Sequence, residues 1–137
     1  MTTFIVDASV ALKWVLQEPG SEAAIELVAR ESLAAPDLLF IECANVLWRK
    51  VRRGQIAPSA AAPALAALEA TPIRVTPVQP HAAAALAIAA ELGQSAYDSL
   101  YLATAIAEHG IMITADEAFA RAALAHPVYA SAIRVLA

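Results

Sequence analysis

Short runs of β-branched and large apolar residues recur along the chain, with helix-length segments between them. Thr3–Val6 (TFIV), Ile73–Thr76 (IRVT) and Ile111–Thr114 (IMIT) read as strands, and Ile133–Leu136 is a candidate last one. Helix signals fill the intervals. Ser9 is placed to cap a helix over Val10–Leu16, which Pro19-Gly20 breaks, and Ser21 to cap a second through about Glu31. Pro36-Asp37 starts a third that runs to Arg53 and stops at Gly54. Further helices are expected over Ala57–Glu69, with Pro63 awkwardly inside, over Gln79–Leu92 and Ser95–His109, and from Ala115 to about Leu124. Strands alternating with helices demand a mostly parallel sheet covered on both faces, a three-layer α/β/α sandwich. Sites in such sheets form beyond the carboxyl ends of the strands.

The chain has 137 residues, which fits one domain, and no linker, repeat or low-complexity break divides it. Its 60% apolar content is inflated by alanine and describes a helix-rich globule, not a disordered chain. A net charge of -4 gives no global field for nucleic acid, so any such binding needs a local basic patch. With one cysteine, Cys43, no disulfide forms within the chain, in keeping with a reducing compartment. No signal peptide is read at the N-terminus, and Ala82–Ala90 is too short to span a bilayer. A cytoplasmic location is the expectation.

Four acids stand where chemistry is expected. Asp7 directly follows TFIV, and Asp116 comes two residues after IMIT. Asp98 lies in the first turn of its helix, three residues after Ser95, a capping-box spacing. Glu42 heads the one polar stripe of the third helix: at about 100° per residue, Glu42, Asn45, Arg49, Arg52 and Arg53 share a narrow sector, with Lys50 just outside. Apolar residues take most of the remaining circumference, so that helix is expected to be buried on most sides, with Cys43, Trp14 and Trp48 in the core.

Each acid also has a local role. The stripe is an ordinary solvated face with i, i+4 pairs. Thr114 and Glu117 make a capping box that leaves Asp116 over, and Asp7 favours the dipole of the first helix. Together they say more. Carboxylates gathered at one edge repel one another, and a hard divalent cation with oxygen ligands is the natural compensation. His81, His109 and His126 are scattered and make no zinc set. Neither a Gly-rich phosphate loop nor a serine–histidine pair is evident. Carboxylate-held cations suit phosphodiester hydrolysis, and Arg49, Arg52 and Arg53 are candidate RNA contacts two to three turns from Glu42. Lys13 is a weaker candidate.

The stretches FIVDASVALKW, APDLLFIECANVLWRKVRRG, ELGQSAYDSLYLATAIAEHG and IMITADEAFARAA carry Asp-x-Ser, Glu-x-x-Asn, Tyr-Asp-x-x-Tyr-x-Ala and Thr-x-Asp in that order. As a set they resemble the PIN-domain ribonucleases, specifically the VapC-type toxins of bacterial toxin–antitoxin pairs. The resemblance implies a single nuclease domain over 1–137 with a parallel sheet between helices. It implies Mg²⁺ or Mn²⁺ on Asp7, Glu42, Asp98 and Asp116, and water activated to cleave RNA. It also implies a homodimer and a cognate antitoxin that blocks the site. Ser99 stands where such proteins often have alanine, and Ala57–Glu69 is unusually rich in alanine and proline. Two other classes stay open. A receiver-like signalling module also uses a doubly wound sheet, acids and Mg²⁺, but places adjacent acids after its first strand, whereas Ala8 follows Asp7. A catalytically silent interaction module would keep the fold and take up no metal.

Overall fold

In a computed structural model that describes residues 2–137, five strands pair in parallel. They are β1 (Thr3–Val6), β2 (Ser32–Pro36), β3 (Arg74–Thr76), β4 (Ile111–Thr114) and β5 (Ile133–Val135). Their order across the sheet is β3-β2-β1-β4-β5. Between them run α1 (Ala8–Val15), α2 (Ser21–Arg30), α3 (Leu38–Arg52), α4 (Pro58–Glu69), α5 (Ala82–Leu92), α6 (Ala96–Ala107) and α7 (Glu117–Leu124). The chain steps from β1 to β2 to β3 in one direction, then crosses to β4 and β5 in the other. With right-handed crossovers, the first four helices cover one face and the last three the other. The expected sandwich is present, and its sheet is wholly parallel.

One strand escapes the sequence pattern. β2, SLAAP, has no β-branched residue, and the sequence leaves Ser32–Ala35 unassigned between two helices. It is extended because it fills the slot between β1 and β3, pairing Phe4 with Leu33 and Ala35 with Val75. Leu33, Ala34 and Ala35 are buried there, and small side chains suit a strand covered on both faces. Pro36 is tolerated because it is the last residue, and the next amide, Asp37 N, resumes bonding to the Thr76 carbonyl.

The expected caps also shift. Asp7, not Ser9, is the N-cap of α1, its Oδ1 accepting from the Val10 amide at 3.2 Å. Ser21 opens α2 rather than capping it; its hydroxyl accepts from Glu18 N and donates to the Leu16 carbonyl, closing the Pro19-Gly20 turn. Gln79–His81 forms a tight 3-10 turn before α5, because Pro80 has no amide for an α-helical ladder. Pro58 opens α4 as expected and Pro63 lies inside it. Gly54 ends α3 in the left-handed region, φ 68°.

The core runs along both faces of β1. Ile5, Val6, Val10, Leu39, Leu102 and Met112 are all at or below 1% exposure. α6 is its most deeply sunk helix, buried without a break from Ser99 to Ala105. The turn from α6 into β4 sets how close that helix lies. A Cβ on Gly110 would stand 2.4 Å from the Thr3 carbonyl oxygen of β1. Gly110→Ala therefore forces backbone apart, and the expected loss is at least that of core overpacking, about 1–3 kcal/mol. Urea unfolding of the variant beside Gly54→Ala checks this. At Gly54 a Cβ meets nothing and only the left-handed backbone is strained, so Gly110→Ala should be the more damaging.

Candidate active site

The strand order reverses between β1 and β4, the point at which sites form beyond the carboxyl ends of the strands in such sheets. Asp7 leaves β1 at this point and Asp116 follows β4. A hydrogen-bonded chain ties the two strand ends together. The Thr114 hydroxyl donates to Asp7 Oδ2 at 2.5 Å and accepts from the Asp116 amide at 3.0 Å. The Ser9 hydroxyl donates to Asp7 Oδ1 at 2.6 Å and accepts from Ala115 N at 2.9 Å. Asp116 is itself the N-cap of α7, Oδ1 accepting from Phe119 N at 3.1 Å. The expected Thr114–Glu117 capping box is thus replaced. Thr114 is the last residue of a strand, its hydroxyl is claimed by Asp7, and the shorter-reaching Asp116 takes the cap.

Glu42 and Asp98 approach from opposite faces of the sheet. Glu42 sits in the second turn of α3 and lines a groove with Ala8 and Tyr97, the neighbours in sequence of Asp7 and Asp98. Its Oε1 accepts from the Tyr101 hydroxyl at 2.5 Å. Asp98 lies one turn before Tyr101 on α6, and its amide donates to the Ser95 hydroxyl as the spacing predicts.

The charges of these acids are coupled. Burial pushes Asp7 up from the usual 3.8 to about 6, outweighing its bonds from Ser9, Thr114 and Val10, and the charge of Asp98 adds to the rise. Glu42 is raised by burial and by the charges of Asp98 and Asp7, against the lowering bond from Tyr101. Asp98 is raised by burial and by Asp116, against Ser95. Among the described residues no lysine, arginine or histidine forms an ion pair with any of the four. Nor do three acid, histidine or cysteine side chains there stand in a closed ligand shell. The donor set, all oxygen and electrostatically uncompensated, has the chemistry a hard divalent cation takes. Holding one requires the side chains to draw together.

Tyr101, Ser9 and Thr114 had no site role on sequence grounds. The available signals were the one-turn spacing of Tyr101 from Asp98 and the pairing of Asp-x-Ser with Thr-x-Asp. Cys43 is a core residue as expected, its thiol pushed up to about 12 by burial and by Glu42 and Asp7. Trp14 is half-buried, its indole donating to the Ala24 carbonyl at 2.9 Å. Trp48 is not in the core; it is 53% exposed, because α3 fully buries only Leu39, Cys43 and Leu47 and leaves Ile41 as well in water. Lys13 is held away from the site by the Pro19 carbonyl at 2.7 Å and Glu18 at 3.4 Å. Lys50 also turns to Glu18. Arg49, Arg52 and Arg53 pair with no acid among the described residues and share a cleft with Trp48.

Asp7 makes stability fall with pH. Its folded value exceeds the unfolded one, so the native state holds the proton more tightly. The stability this brings is complete below pH 3.8 and is lost as pH rises to about 6. The loss is on the order of 3 kcal/mol for a fully buried group, and Glu42 and Asp98 act in the same direction. In urea unfolding of the metal-free protein across this window, Asp7→Asn should flatten the slope. Parallel curves for variant and parent would remove the assignment.

The fold has known counterparts. The PIN domain family matches residues 4–124. No curated protein matches the chain in sequence. Among solved structures, PAE2754 from Pyrobaculum aerophilum is 26% identical with a TM-score of 0.70, over 88% of this chain and 79% of that one. VapC20 of Mycobacterium tuberculosis, described as a sarcin–ricin loop cleaving toxin, is 18% identical with a TM-score of 0.61, over 78% and 84%. VapBC2 from Rickettsia felis, bound to a DNA fragment from its promoter, is 12% identical with a TM-score of 0.65, over 98% and 99%.

Proposed function

The chain belongs to the PIN domain family, and from that premise we propose that it is a metal-dependent endoribonuclease, the toxin of a toxin–antitoxin pair. The observation that carries the reading is that four carboxylates, ion-paired with nothing among the described residues, come from four different elements at the end of the sheet where the strand order reverses, three of them raised by burial and by one another's charge. PIN domain nucleases generally use divalent metal ions. Bound by Asp7, Glu42, Asp98 and Asp116, Mg²⁺ or Mn²⁺ would neutralise this repulsion and supply activated water for phosphodiester hydrolysis.

The protein's own groups have separate tasks. Ser9 and Thr114 fix both oxygens of Asp7, and Tyr101 fixes Glu42, so two of the acids are oriented before substrate arrives. Asp116 spends one oxygen on the α7 cap and keeps the other. An RNA phosphate is repelled by these acids, and Arg49, Arg52 and Arg53 supply the opposing attraction one side of them.

VapC20, a sarcin–ricin loop cleaving toxin of this fold, supports RNA as the substrate, and a toxin–antitoxin complex from Klebsiella pneumoniae of the same fold supports an antitoxin as partner. The rest of the reading is a single domain over 1–137 that works as a homodimer in the cytoplasm. No helix among the described residues is long and apolar enough to cross a membrane. Removing groups that merely support a metal ligand typically costs about 10–100-fold, so losing a ligand should cost at least about 100-fold. Purified, antitoxin-free protein should cleave total RNA with Mg²⁺ or Mn²⁺ and not with chelator, and Asp7→Asn and Asp98→Asn should lose that activity. Equal cleavage by the variants would expose a contaminating nuclease and end the claim.

A further inference from the structure

We infer that Trp48 is the base-stacking platform of the substrate groove, which commits the enzyme to RNA that is unpaired next to the cut; this rests on the nuclease reading above. Ile41, Asn45, Trp48 and Arg52 recur at i, i+4, i+7 and i+11 and form one exposed row along α3. The row lies beside the one that carries Glu42 and Arg49. The groove containing Glu42, Asn45 and Arg49 meets, at Arg49, the cleft lined by Trp48, Arg49, Arg52 and Arg53. One path therefore leads from the carboxylates to the indole. Six residues of helix separate Glu42 from Trp48 by about 9 Å along the axis and about 120° around it, a span that nucleotides adjoining the scissile phosphate can bridge.

The two chemistries in that cleft are those of a nucleotide. Guanidiniums take a phosphate in a fork of hydrogen bonds, and an aromatic ring takes a base face of any sequence. The Arg52 guanidinium stands 5.1 Å from the Trp48 ring centre and steadies the indole while over half of the residue stays open. A base inside a duplex is already stacked and has no face to give, so the ligand is single-stranded. Trp48 also borders the apolar groove between α3 and α4, where a protein helix is the competing occupant. Three arginines that no acid of this chain neutralises among the described residues flank that ring and favour a polyanion over an uncharged apolar helix.

The test is binding in chelator at low salt, which separates it from cleavage. An A-rich, unstructured RNA oligonucleotide should quench tryptophan fluorescence of the protein. In Trp48→Phe, with Trp14 the sole tryptophan, the quenching should vanish while affinity for the labelled RNA is kept. Trp48→Ala should bind the same RNA about fivefold more weakly or worse. Annealed to its complement, the RNA should bind both proteins alike. Full affinity in Trp48→Ala overturns the inference, and so does binding without quenching in the parent. So does a Trp48→Ala protein that changes sedimentation and keeps its RNA affinity, which would assign the ring to a protein contact. RNA that binds as expected but is never cut with metal sinks the nuclease reading and leaves the platform standing.

Discussion

Everything at the working edge depends on a carboxylate that pays for its position. Asp7 is buried where water cannot solvate its charge, and its hydrogen bonds do not make up the deficit. It stays because its two oxygens also join three elements. One caps α1, and the other receives the Thr114 hydroxyl from the end of β4. The atoms that hold the site together are those proposed to bind metal, so stability and chemistry are coupled there. A site that destabilises the empty protein and is relieved by its ligand is the usual form of that compromise.

The sheet topology explains why the acids come from so many places. The reversal between β1 and β4 leaves their ends uncovered and sends α1 and α7 to opposite faces. One acid then arrives on each strand end, one on α3 and one on α6. No two share a helix, so their mutual repulsion is not imposed by local geometry and can be tuned by small side-chain movements. α3 has a second task. It brings Glu42 to the site near its start and, at its end, arginines that pair with no acid among the described residues, so one rigid rod sets the distance between acid and base.

Two buried apolar runs and one alternating run made three strands plain in sequence, and the alternation with helices made the sandwich plain. Asp7 and Asp116 could be placed at strand ends because those runs ended there. Glu42 stood out because it heads the one polar stripe of α3. These signals are local: a run, a period, a residue before a turn. β2 had none, since alanines and a proline carry no extended preference of their own; the neighbouring strands made it a strand.

The same division holds within the site. Sequence alone determined which residue types lie along the chain, and so the fold class and the candidate acids. Only the folded arrangement decided that Ser9 and Thr114 serve Asp7 rather than their own helices, that Tyr101 faces Glu42, and that Trp48 stands in water. For Thr114 and Tyr101 the outcome is a competition between a local partner and one more than 50 residues away. Spacing within a segment cannot settle it, because packing chooses the distant partner only once the two segments meet.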